Sequence, residues 1–272
     1  MRRGIHIRNL SPGNGLLLGR YHIGNNTLGF AGAGYSGYFN PTAAIVLFNS
    51  NWGLVDGNTI HANRKYAQTA YGIVSQASNW VTIRGNRPIE IAGSALYPPT
   101  AFASGVWING SGDNRVCDNE MTRFGSGLTI SGQSPRLMVR CNDFNLNLFS
   151  GVTITSGNFG NQGASKHPSD NNWVDTTDAF RVRGSINSPA PHEWWYRPGT
   201  ATELDANNAT LSDVWVSPIV RFTTFEDAFG FYYTCDDSPC EYLGNFQARF
   251  GEAKTAGLRD TLIGHIVLNI DP

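Results

Sequence analysis

Charge is scarce in this sequence. Asp, Glu, Lys and Arg make up 15% of the 272 residues, against roughly 25% in an average globular chain. The net charge is −1, so no global field draws the chain to nucleic acid or to an anionic surface. No stretch reaches the ~20 apolar residues of a membrane span, so membrane insertion is not expected. The first ten residues, MRRGIHIRNL, lack the apolar run of about 7–15 residues that a signal peptide carries. Cysteine is sparse too: four are present, with no Cys-x-x-Cys pair and no clustered histidines. No metal centre and no cofactor is therefore expected. Cys235 and Cys240 flank the short loop DDSP, which suits a local disulfide in an oxidising compartment, with a zinc half-site as the rival. Spacing does not fix the state of Cys117 and Cys141.

What the chain does have is apolar and neutral-polar material. Hydrophobic residues reach 40% and aromatics 12%, enough to bury a core and to exclude global disorder. With 31 glycines and abundant Asn, Ser and Thr, the composition is that of a β-rich protein with an uncharged polar surface, as in many extracellular proteins.

A repeat organises this material. Five anchors are each followed by short apolar strands: Ala44-Ile45-Val46-Leu47, Gly72-Ile73-Val74-Ser75, Gly105-Val106-Trp107-Ile108, Gly127-Leu128-Thr129-Ile130 and Gly151-Val152-Thr153-Ile154. Five asparagines follow them, Asn58, Asn86, Asn119, Asn142 and Asn172, at distances of 14, 14, 14, 15 and 21 residues. Three positions before the Asn lie Val55, Ile83, Val116 and Val139. Two positions after it lie Ile60, Pro88, Met121, Phe144 and Val174. Between these, Thr59, Arg87, Glu120, Asp143 and Trp173 form a mixed column suited to an outward face. The asparagines then point inward, where a polar group is costly unless it hydrogen-bonds its neighbours on the coils above and below, as a ladder.

Successive anchors lie 28, 33, 22 and 24 residues apart, and about 22 residues suffices for three short strands and three turns. The pattern predicts a parallel β-helix over residues 1–179. The longer coils place insertions at 61–71 and 89–104 on one corner, where Tyr66 and Tyr97 are candidate ligand contacts. A first coil runs from Gly4 to Asn25, 21 residues. Its missing polar cap suggests absent upstream residues or a protein partner, including a second copy, on that end. Beyond Phe180 the repeat fades. Residues 180–272 are expected to form a C-terminal cap or small β-rich subdomain with one helix, from the spacing of Phe246, Phe250, Ala253 and Leu258.

The run from Gly127-Leu128-Thr129-Ile130 through Cys141-Asn142-Asp143-Phe144 to Gly160-Asn161-Gln162-Gly163 and Asn171-Asn172-Trp173 resembles the right-handed parallel β-helix region of secreted, surface-attached proteins of Bacteroidota, commonly exported by the type IX route. The resemblance covers about residues 44–180. It implies an all-β, right-handed parallel β-helix (solenoid) at the cell surface or outside the cell, and it carries no catalytic residues with it. The family's C-terminal sorting domain is not visible in the sequence, which implies a processed or partial chain.

Candidate chemistry is thin. Glu120 and Asp143 share the outward column on adjacent coils and could approach the ~5 Å carboxyl separation of a retaining glycosidase. Arg87, one coil earlier, could hold a uronic acid. The competing expectation is an Arg87–Glu120 surface ion pair with Asp143 at its edge; a calcium site on the same carboxylates would need more oxygens. Asp236 and Asp237 read as turn formers, and His61 and His167 as surface histidines. His192-Glu193-Trp194-Trp195-Tyr196 cannot bury three consecutive aromatics in one strand, so some stack on sugar rings or a partner, or else seal the end of the solenoid. The expected function is a non-catalytic extracellular or cell-surface module for adhesion, glycan contact or assembly. A polysaccharide lyase or glycosidase on the same fold, and a subunit of a filament or coat, are the alternatives.

Overall fold

The computed structural model describes residues 3–9, 21–30, 42–63, 70–92, 103–157, 159–160, 162, 169, 171–173 and 180–184. Within them every regular element is a strand, and all pairings are parallel. Each of the first five coils contributes three strands. They are β1 (Arg3–Arg8), β2 (Tyr21–Gly24) and β3 (Thr27–Phe30); β4 (Thr42–Phe48), β5 (Gly53–Asp56) and β6 (Thr59–Asn63); β7 (Ala70–Gln76), β8 (Thr82–Arg84) and β9 (Ile89–Ala92); β10 (Ser104–Asn109), β11 (Arg115–Cys117) and β12 (Glu120–Thr122); and β13 (Ser126–Ser131), β14 (Met138–Arg140) and β15 (Asp143–Asn145). The sixth has β16 (Ser150–Ile154) and β17 (Asn172–Trp173), and β18 (Phe180–Gly184) adds one further strand.

The strands stack into three sheets. The first runs β1-β4-β7-β10-β13-β16-β18, the second β2-β5-β8-β11-β14, and the third β3-β6-β9-β12-β15-β17. This is the parallel β-helix that the anchor spacing predicts. Inside it Ile45, Ile73, Val106, Leu128 and Val152 from the first sheet meet Val55, Ile83, Val116 and Val139 from the second, all at most 1% exposed.

The anchors are glycines because the third sheet turns into the first at close quarters. A Cβ on Gly105 would stand 2.7 Å from the Gly127 carbonyl oxygen and 2.9 Å from Met121 Cγ. Only the second coil, with Ala44, departs from the glycine column in the interior of the stack.

The asparagines form the ladder, shifted by one residue at both ends. It runs Asn26, Asn58, Asn86, Asn119, Asn142, Asn171, and each side-chain Nδ2 donates to the next residue's Oδ1 at 2.8–3.0 Å. That same Oδ1 accepts the preceding ladder residue's backbone N–H at 3.0–3.2 Å. The residue before each of the first five takes a left-handed φ: Asn25 56°, Gly57 61°, Gly85 60°, Asp118 56° and Cys141 55°. That residue makes the bend from second to third sheet, and the asparagine behind it is swung inward.

The expected rungs at Asn25 and Asn172 are thus corrected to Asn26 and Asn171. Because alternate side chains face opposite sides, a slip of one residue reverses the assignment. Trp173, expected outward, is 3% exposed and packs against Phe144 with ring centroids 5.5 Å apart, while Asn172 takes the outward place beside Asp143. In the third coil the inward place belongs to Ile89 and not to Pro88. The cis Arg87-Pro88 pair inserts one extra residue there.

A second ladder of serines runs up the corner between the first and second sheets. Backbone N–H groups of Ser50, Ser78 and Ser111 donate to the hydroxyls of Ser78, Ser111 and Ser134 at 3.0, 3.1 and 3.3 Å. Cys117 and Cys141, on adjacent coils, are both disulfide-bonded.

Candidate functional site

The corner that carries the serine ladder also carries an aromatic pair. Past β4 the chain runs Asn49-Ser50-Asn51-Trp52, and past β7 it runs Ala77-Ser78-Asn79-Trp80. Asn49 and Ala77 turn left-handed at φ 48° and 50°, and the tryptophans do so again at 62° and 55°. The hydrogen bonds that hold this path cross between coils. Trp52 N–H donates to the Asn79 carbonyl at 3.0 Å, Asn79 N–H to Asn51 Oδ1 at 2.8 Å, and Gly112 N–H to Asn79 Oδ1 at 2.6 Å. A bulky residue in the left-handed region costs about 1–2 kcal/mol. Here two adjacent coils both accept that cost, and the result throws both indoles outward.

They stack with centroids 4.6 Å apart and planes within 8°, and Trp80 keeps 41% of its surface in solvent. In the same corner column on the next two coils stand Asp113 and Arg136, joined at 2.6 Å (Nε to Oδ1) and 2.7 Å (Nη2 to Oδ2). An exposed indole beside a fixed carboxylate and guanidinium is suited to a sugar ring, which offers apolar C–H groups on one side and hydroxyls around its rim.

The acids expected as a catalytic pair lie on the outer face of the third sheet. Glu120 and Asp143 are register partners on adjacent coils. Arg87 does not bond Glu120, contrary to the expected ion pair. It bonds Asp118, at the left-handed corner of the next coil, with Asp143 Oδ2 at 3.7 Å from Nη1. Glu120 accepts from its own strand's Thr122 hydroxyl at 3.4 Å. On the same face His61 Nδ1 meets Glu90 Oε1 at 2.7 Å. The outer face of the first sheet carries a second stack, Tyr71 on Trp107, with centroids 5.0 Å apart; burial raises the Tyr71 phenol above its ordinary range. Tyr66, Tyr97, Trp194, Trp195, Tyr196, His167, Asp236, Asp237, Cys235 and Cys240 lie outside the described residues, as does the expected C-terminal helix.

A signal for the tryptophan pair was present in the sequence. Asn51-Trp52 and Asn79-Trp80 are separated by 28 residues, the interval between anchors Ala44 and Gly72.

The family model for periplasmic copper-binding protein (NosD) matches residues 37–182. No curated protein and no solved structure matches the chain. Copper takes imidazole, thiolate and thioether ligands, and the described residues do not supply a set. Cys117 and Cys141 are consumed in disulfides. His6, His22 and His61 stand on three different sheets, the second of them against Asp56 and the third against Glu90. Met121 is fully buried in the core. Among the described residues no three His, Cys, Asp or Glu gather into a metal-binding group. By its matched segment, which is more than half of its length and runs from just before β4 into β18, the chain belongs to the NosD family of parallel β-helix proteins.

Proposed function

We propose that this chain is a non-catalytic extracytoplasmic module that contacts glycans through the Trp52–Trp80 corner. The carrying observation is the stacked indole pair, with Trp80 exposed, held by left-handed backbone on two successive coils. The periplasmic compartment in the family's description and the disulfide state of Cys117 and Cys141 support an oxidising, extracytoplasmic setting. Attachment at the cell surface, and export by the type IX route that the motif resemblance implies, are the finer form of this proposal.

The test is a titration of the full chain with soluble polysaccharides, followed by intrinsic indole fluorescence. Binding is expected in wild type and lost in Trp80→Ala, with the polymer recovered at its original length. Binding unaffected by Trp80→Ala refutes the assignment of the corner. Release of new reducing ends or unsaturated uronides, abolished in Glu120→Gln, replaces it with a carbohydrate-active enzyme acting through Glu120 and Asp143.

A further inference from the structure

Charge on the coils is sorted by face. The outer side of the second sheet and its tryptophan corner carry Arg84, Arg115 and Arg136 against Asp56 and Asp113; Arg140 shares the column but is 1% exposed and presents no charge to solvent. The outer side of the third sheet carries the reverse balance, with Glu90, Asp118, Glu120 and Asp143 against Arg87 and Arg123. Among the described residues the second-sheet face therefore holds a positive excess and the third-sheet face a negative one, and the positive face adjoins the exposed Trp80 indole.

The arginines on it are placed as a set. Arg84, Arg115 and Arg136 come from three successive coils, so they span about 10 Å along the solenoid at ~4.8 Å per rung. Arg136 is 68% exposed and Arg84 50%. Asp113 engages Nε and one terminal nitrogen of Arg136, which fixes the guanidinium plane while its remaining N–H donors face solvent. A planar fork held this way suits a carboxylate, which it can bond bidentately.

Resting on the glycan reading above, we infer that the polymer is an acidic one: a uronic-acid polysaccharide whose pyranose ring packs on Trp80 while its carboxylates meet the arginines of the second sheet. The two halves of the site have separate duties. The indoles bind any pyranose face, and the arginines select for charge.

The experiment compares one backbone in two charge states. The full chain is titrated with polygalacturonate and with its fully methyl-esterified form, at low and at physiological salt. Alginate serves as a second acidic polymer, and duplex DNA and anionic phospholipid vesicles as non-glycan polyanions. Wild type is expected to bind the free acids at least about tenfold more tightly than the ester, and to lose most of that margin as salt rises. Arg84→Gln with Arg115→Gln should remove most of the margin and leave ester binding intact, whereas Trp80→Ala should weaken both forms. Equal affinity for acid and ester overturns this inference and leaves the glycan reading standing. Binding to none of the polysaccharides overturns both. Tighter binding to DNA or vesicles than to either free acid also overturns it, since the basic face then serves a different polyanion.

Discussion

Removing one rung from the middle of the asparagine ladder should cost far more than removing one from its end. Asn119 is fully buried. Its Nδ2 donates to the Ile83 carbonyl at 2.9 Å, the Cys117 carbonyl at 3.0 Å and Asn142 Oδ1 at 3.0 Å. Its Oδ1 accepts from Asn86 Nδ2 at 2.8 Å and Asn86 N–H at 3.2 Å. Asn119→Ala removes all of these and leaves the Asn86 backbone N–H facing a dry gap. Each hydrogen bond contributes about 0.5–1.5 kcal/mol net, and an orphaned buried donor costs about 1–3 kcal/mol. Allowing for shared hydrogens on Nδ2, the sum is about 4 kcal/mol. Asn26 is part-buried and donates through Nδ2 only to the Gly24 carbonyl and Asn58 Oδ1, so Asn26→Ala should cost about 1 kcal/mol. Urea unfolding followed by both far-ultraviolet circular dichroism and tryptophan fluorescence measures the two. If Asn119→Ala is no more destabilising than Asn26→Ala, the ladder is not the stabilising element described here.

Other outcomes follow from single contacts. Gly105→Ala should destabilise by about 1–3 kcal/mol through overpacking against backbone, while Gly29→Ala, whose Cβ would meet nothing within 4 Å, should leave the urea midpoint unchanged. Trp173→Ala empties the space against Phe144 and should cost about 3–5 kcal/mol by the same assay, a loss that an outward tryptophan would not show. Burial raises the Tyr21 phenol far above its ordinary range, and its hydroxyl donates to the Ser50 carbonyl at 3.3 Å. A raised folded-state value means this contribution is complete below about pH 10 and is lost as the pH climbs beyond it. The alkaline fall in stability should therefore be smaller in Tyr21→Phe, measured as thermal midpoint against pH. Stoichiometric Cu(II) or a copper chelator should leave the thermal midpoint unchanged in a variant with His167, His192 and His265 replaced, since the described coils offer no ligand set.

The coil-to-coil register was legible because glycine anchors and apolar triplets recur at intervals that only a solenoid explains. The register is ambiguous where the sequence offers two equivalent letters. Asn25-Asn26 and Asn171-Asn172 are doublets, and the arms leading to them are longer than 14 residues, so spacing could not choose between neighbours. In the first doublet the choice was available from flanking residues, since Ile23 and Leu28 stand three before and two after Asn26. In the second, Trp173 and Val174 are both apolar and the pattern is silent. The extra residue at Arg87-Pro88 is invisible for a related reason: a one-residue bulge leaves anchor-to-asparagine spacing intact. The serine ladder is masked in the sequence because serine is common in turns, although Ser50, Ser78 and Ser111 keep the same 28- and 33-residue intervals as the anchors. Pairing between exposed side chains, such as Arg87 with Asp118, depends on corner geometry that no linear pattern carries.

The asparagine ladder has a direction. Between the asparagines themselves, every side-chain amide from Asn26 to Asn142 donates to the Oδ1 of the next coil and none to the Oδ1 of the coil before, while from Asn58 onward Nδ2 also reaches back to a main-chain carbonyl of the preceding coil. The column is therefore a row of aligned dipoles with unlike ends, one end presenting an acceptor oxygen and the other an amide donor. A coil entering such a stack fits in one polarity only. For a chain delivered from its N-terminus, each coil that emerges leaves an amide waiting for the oxygen of the coil that comes next.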